Sequence, residues 1–214
     1  MPDAVPSTPA RGQIRRLGVF GGTFDPPHIG HLVTAVNVRH ALDLDLVLLV
    51  VAGSPWQKTG VRSISPAADR LAMVRAAVAG SAGIEASSIE VDRSGPSYTI
   101  DTLVEMRMAY PSAEFFTIVG ADAAALVPTW ERYREVLEMT RLVVVDRPGQ
   151  PSVVPPITDW LRVEIPHLEV SSTDLRERFV DGRPLDFLVP AAVLEVARER
   201  GLYRKAVPAR GSVA

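Results

Sequence analysis

The chain is predicted to adopt an α/β fold, a parallel sheet with helices on both faces, and three features point to it. Short apolar runs alternate with segments of helical apolar spacing, the pattern of successive strand–helix units. Two of those runs end in glycine-bearing polar turns, at residues 21–31 and 120–122, which puts polar groups at the carboxyl edge where open α/β sheets take ligands. The length, 214 residues with 47% apolar content, suits one well-buried domain.

Taken in order, residues 1–11 are rich in Pro, Ala, Ser and Gly and are expected to be a disordered tail, as are residues 205–214. Residues 12–204 then form the single domain. Its first strand is residues 14–20, followed by an amphipathic helix over 32–41, a strand over 46–52 and a helix over 66–79. A weaker strand is expected at 89–91. The next helix opens near Ser97 or Thr99, either of which suits a helix cap, and strands follow at 115–119 and 142–145. Residues 147–151 read as a loop, 160–165 as a last strand, and 191–202 as a terminal helix. Together these make a doubly wound, Rossmann-like sheet with no internal repeat.

The densest chemistry lies in Gly21-Gly22-Thr23-Phe24-Asp25-Pro26-Pro27-His28-Ile29-Gly30-His31, between the first strand and first helix. Backbone amides at the start of that helix favour phosphate anions, and glycines let the backbone come close to them. His28 and His31 add side-chain donors, one from the loop and one from the first helical turn. Neither GxxxxGK[ST] nor the GxGxxG fingerprint is present. A second anion-suited segment is Val170-Ser171-Ser172-Thr173-Asp174-Leu175-Arg176. Its hydroxyls suit a helix start, Leu175, Phe179 and Val180 supply an apolar face, and Arg176 sits one turn in, aimed at the same end. The third block is Ser97-Tyr98-Thr99, with Gly120-Ala121-Asp122 and Pro128-Thr129-Trp130 downstream. A helix amino terminus favours a carboxylate over a neutral amide, and an indole face suits a cationic aromatic ring.

These blocks resemble the HxGH nucleotidyltransferase superfamily, in the form carried by bacterial nicotinate-mononucleotide adenylyltransferases, over roughly residues 17–203. The resemblance implies transfer of the adenylyl group of ATP to nicotinate mononucleotide, giving deamido-NAD and pyrophosphate. It places Gly21, Gly22, Thr23, Phe24, His28, Gly30, His31, Gly120 and Asp122 on ATP, with Asp122 near the ribose. His28 and His31 are the catalytic pair, and Ser171, Ser172, Thr173 and Arg176 close over the triphosphate. Thr23, Lys58, Tyr98, Thr99 and Trp130 would contact nicotinate mononucleotide. Lys58 keeps the family's basic position, but Trp56 and Gln57 depart from its loop pattern, and Glu131 stands where some members carry an aromatic residue. His40 and His167 match no motif and read as structural or exposed.

Lys and Arg number 23 against 25 Asp and Glu, so no broad basic field suggests nucleic acid or an acidic membrane surface. With no cysteine there is neither a disulfide nor a thiolate site, which fits a cytoplasmic protein, and no apolar run is long enough for a membrane span. No resident metal site is expected; Mg²⁺ would arrive with ATP. Self-association is left open. Phosphopantetheine adenylyltransferases and cytidylyltransferases share the HxGH element and stand as alternatives, as does a non-catalytic module that senses ATP.

Overall fold

In a computed structural model of the chain, residues 11–55 and 64–204 are described. Six parallel strands form one sheet in the order β3-β2-β1-β4-β5-β6. They are β1 (Arg16–Gly22), β2 (Leu46–Val51), β3 (Ile84–Ser87), β4 (Glu114–Gly120), β5 (Arg141–Asp146) and β6 (Leu161–Glu164). The chain winds outward from β1 to β3, then returns to place β4 on the other side of β1. That reversal leaves a crevice between the carboxyl ends of β1 and β4.

The strand residues explain the layering. All six residues of β2 are buried, as a strand covered on both faces requires. Val47, Leu49 and Val51 join Phe116, Ile118 and Val143 in one layer, while Leu46, Leu48 and Val50 join Leu17, Val19 and Phe115 in the other. The first layer is covered by α1 (Ile29–Ala41) and α2 (Ala67–Val78), the second by α4 (Thr99–Ala109) and α6 (Tyr133–Met139). Between β3 and α4 lies the single turn α3 (Ile89–Asp92), and α5 (Ala121–Leu126) follows β4. Outside α2, helices α7 (Ser172–Asp181) and α8 (Ala191–Glu199) share a smaller core of Met73, Leu175, Val189, Val193 and Ala197.

Several sequence expectations change. The strand expected at 89–91 is α3, and the strand lies just before it at Ile84–Ser87. An Ile-Glu-Val run fits either period when it is this short. The Ser88 carbonyl accepts from both Val91 and Asp92, and its hydroxyl donates to Asp92 at 2.6 Å, which closes the turn as helix. β1 runs two residues beyond Phe20, so Gly21 and Gly22 pair with Val50 and Val51 instead of forming the turn. α1 starts at Ile29 rather than 32. α5 and α6 have no counterpart in the sequence reading. Val180, expected on an apolar face, is 45% exposed, while Leu175 is buried. The expected tails at 1–11 and 205–214, except Arg11 in a short 3-10 turn, lie outside the described residues.

Candidate active site

The turn from β1 to α1 is held in an unusual backbone. Phe24 has φ 51°, a left-handed conformation costly for a bulky side chain, and keeps it because its ring is buried at 2% exposure. His28 follows as the N-cap of α1 in extended conformation, and His31 sits in the first helical turn. The His28 backbone N–H donates to His31 Nδ1 at 3.2 Å. An Nδ1 that accepts leaves the ring proton on Nε2, so His31 presents a donor on its far side. The two imidazoles lie with centroids 3.7 Å apart, and Phe24 meets His31 edge-on at 4.9 Å. His28 is the more buried; desolvation pushes its pKa down to about 4, and its Nδ1 has no hydrogen-bond partner among the described residues. Gly30 permits this packing, since a Cβ there would sit 3.0 Å from Val170 Cγ1 and 3.1 Å from the His28 ring.

The second motif docks onto the same turn. Ser171 caps α7, its hydroxyl accepting from the Asp174 N–H at 3.2 Å. Ser172 donates its hydroxyl to the Pro26 carbonyl at 2.9 Å, and Arg176 donates Nη1 to the Asp25 carbonyl at 2.7 Å and Nη2 to Thr173 at 3.0 Å. Two segments about 150 residues apart are thereby one structure. Arg176 spends part of its fork on that docking, a use the sequence reading did not foresee.

A cavity of 260 Å³ opens at the crevice between β1 and β4, lined among others by Gly21, Gly22, Thr23, Tyr98, Thr99, Gly120 and Trp130. The amino terminus of α4 faces it. Tyr98, not Ser97 or Thr99, is the N-cap, and it makes no side-chain cap bond; Ser97 instead accepts from the Ser54 N–H at 3.2 Å. Trp130 is half-buried between two core clusters and still borders the cavity, as does Glu131. A second cavity of 210 Å³ lies at the other end of the β1–α1 turn, lined by His28, Gly30, His31 and Thr34 and by Ile165, Pro166, Leu168 and Val170. Asp122 is exposed in the first turn of α5 and lines neither cavity. Phe24 packs edge-on against His31 and lines neither cavity, and Ser171, Ser172, Thr173 and Arg176 stand outside both linings. Lys58, with Trp56 and Gln57, lies outside the described residues. His40 and His167 are exposed.

The cytidylyltransferase-like family model matches residues 19–178. A protein of Saccharopolyspora erythraea named as a probable nicotinate-nucleotide adenylyltransferase is 42% identical over 192 residues, covering 89% of this chain and 90% of its own. One of Frankia casuarinae with the same name is 44% identical over 190 residues, covering 87% and 100%. The chain belongs to the nicotinate-nucleotide adenylyltransferases. Its fold is also that of the nicotinic acid mononucleotide adenylyltransferase of Plasmodium falciparum complexed with NaAD, at a TM-score of 0.71 and 15% identity over 88% of this chain and 97% of that one.

Beside the expected residues, this adenylyltransferase buries polar groups that its sequence did not flag. Glu90, on α3, borders the larger cavity and accepts the Thr102 hydroxyl at 2.6 Å; burial raises its pKa against the opposing pull of Thr102 and Ser97. The Glu90 carbonyl would stand 2.1 Å from a Cβ on residue 53, so only glycine there lets α3 close onto the end of β2. Arg70, 1% exposed, donates Nη1 to the Thr23 carbonyl at 2.8 Å and Nε to the Ser65 carbonyl at 2.8 Å. An arginine inside a helical apolar pattern gives no local sign of such burial. Among the described residues no three His, Asp or Glu side chains gather into a metal cage, and no helix is long and apolar enough to cross a membrane.

Proposed function

We propose that the enzyme transfers the adenylyl group of MgATP to nicotinate mononucleotide. A 5′-phosphate oxygen of the mononucleotide attacks the α-phosphorus of ATP, the bond from that phosphorus to the bridging oxygen breaks, and pyrophosphate leaves with deamido-NAD as the other product. The attacking oxygen is already anionic near neutral pH, so no general base is needed and the protein's task is alignment and charge neutralisation. His31, through Nε2–H, donates to the α-phosphate as charge builds there. His28 lies on the β-phosphate side; an anion against its buried ring favours the protonated form that burial disfavours. Thr23 lies near the reacting phosphates, Ser171, Ser172, Thr173 and Arg176 hold the departing pyrophosphate, and Gly120 and Asp122 lie by the adenosine ribose. Magnesium enters with the triphosphate as part of the substrate.

The observation that carries this reading is the larger cavity. One rim is the amino terminus of α4 at Tyr98 and Thr99, another is Trp130, and a third is the strand end that leads into the histidine turn. A helix amino terminus attracts the pyridine carboxylate and an indole face attracts the cationic ring, so the acceptor's two distinguishing groups each have a complement. A cytoplasmic place of action, where MgATP is supplied, belongs to the same reading.

Pyrophosphate release from MgATP, measured in parallel with nicotinate mononucleotide, nicotinamide mononucleotide and phosphopantetheine, tests it. Release should be at least about tenfold faster with the acid than with the amide, the scale of one charge–dipole contact in a partly buried site. Preference for phosphopantetheine, or ATP binding with no release from any acceptor, overturns it.

A further inference from the structure

We propose that Tyr203 is a positioning residue for the triphosphate end of the site, acting through Asp25 on the docking of α7. The inference rests on the reading that the histidine turn and α7 hold the ATP phosphates. Asp25 is only 1% exposed, and everything its carboxylate touches matters for where the turn lies. Oδ1 accepts the Tyr203 hydroxyl at 2.6 Å and Oδ2 accepts the Ser65 N–H at 3.3 Å. The main-chain carbonyl of the same residue accepts Arg176, and the carbonyl of the next residue, Pro26, accepts Ser172. Fixing the Asp25 side chain therefore fixes the two carbonyls on which α7 is seated.

Tyr203 reaches this point from the far end of the described chain. Its own backbone is left-handed, φ 58°, and its ring packs on Phe179 of α7 with centroids 4.9 Å apart. The same side chain thus touches α7 with its ring and the histidine turn with its hydroxyl. Arg70 supplies the countercharge: its guanidinium bonds the carbonyls of Thr23, Ser65 and Gly53 and lies close enough to Asp25 for the two charges to interact. Tyr203 lines neither cavity, so it touches no reacting group; its hydroxyl acts on the turn through Asp25, with Met73 Sδ a second neighbour at 3.8 Å.

Tyr203→Phe keeps the ring on Phe179 and removes only the hydroxyl. In steady-state assays KM for MgATP should rise about tenfold, the weight of one hydrogen bond to a charged group, while KM for nicotinate mononucleotide stays within about twofold. Phe179→Leu, which loosens the ring contact but leaves the hydroxyl, should leave KM for MgATP within about twofold of the parent. An unchanged KM for MgATP in Tyr203→Phe, equal rises for both substrates, or an equal rise in Phe179→Leu would overturn the proposal. Should Tyr203→Phe melt below the assay temperature, Asp25→Asn, which keeps an oxygen acceptor and drops its charge, takes its place. It is expected to raise the same KM about threefold or more, and no rise overturns the proposal. A parent chain that forms no deamido-NAD instead refutes the underlying function, and calorimetric binding of MgATP to parent and variant still decides whether Tyr203 shapes the ATP site.

Discussion

Acidification should expose the burial of His28 as a loss of stability. The imidazole has a pKa of about 4 in the folded protein against an ordinary value of 6.5, because desolvation disfavours its charged form. Above pH 6.5 the ring is neutral whether the chain is folded or unfolded, so it contributes no pH dependence. Between about 6.5 and about 4 the unfolded chain takes up a proton that the folded chain refuses, and stability falls as pH falls. At about 1.4 kcal/mol per pH unit, the gap amounts to about 3 kcal/mol, fully lost near pH 4. Asp146 and Asp174, whose pKa values are lowered, also lose stability in acid, so the parent alone does not isolate His28. Urea unfolding of the parent and of His28→Gln, in steps from pH 7 to pH 4 without nucleotide, separates them. The parent's free energy should drop more steeply, by about 3 kcal/mol in total relative to the variant. Parallel curves would refute the claim that His28 is held neutral by burial.

Trp130→Ala should raise KM for nicotinate mononucleotide about tenfold and leave KM for MgATP nearly unchanged, as loss of a desolvated ring–cation contact requires; steady-state kinetics with each substrate varied in turn measures it. Gly53→Ala drives a Cβ to 2.1 Å from the Glu90 carbonyl, a backbone clash expected to cost about 3 kcal/mol and lower the melting temperature by about 10 °C. Calorimetry checks the latter, and a melting temperature within about 2 °C of the parent's would mean that α3 can shift away.

The sheet was largely legible because its strands are apolar runs separated by polar turns, a signal local to each segment. Five of the six strands lie where the sequence puts them, and the exception, β3, fails where a three-residue run fits both periods. The Ala-rich α5 carries no periodicity to read. Cap chemistry misled at α4, where Ser97 and Thr99 have the right hydroxyls but the backbone turns at Tyr98. The histidine turn, Ser171 to Arg176 and the Trp130 segment were recognisable as motifs. That Arg176 and Ser172 grip the turn's own carbonyls, or that Tyr203 and Arg70 converge on Asp25, was not. The bonds that seat this turn, from Arg70 to the Thr23 carbonyl through Tyr203 to Asp25, join residues 47 to 178 positions apart, and no spacing in the chain records them.

The seat of α7 on the Asp25 and Pro26 carbonyls also sets an order on the making of this enzyme. Strand β6 ends at Glu164, so all six strands leave the ribosome before the first residue of α7 does. A nascent chain at that stage has the material for the whole sheet and for the larger cavity, yet the helix that seats on the histidine turn has not emerged. Domains gain structure as they emerge, so the sheet and the larger cavity can take shape while the docking of α7 waits for the stretch that includes Tyr203. Turnover is then a report that residues 165 to 204 have arrived and docked, whereas folding of the sheet alone is not.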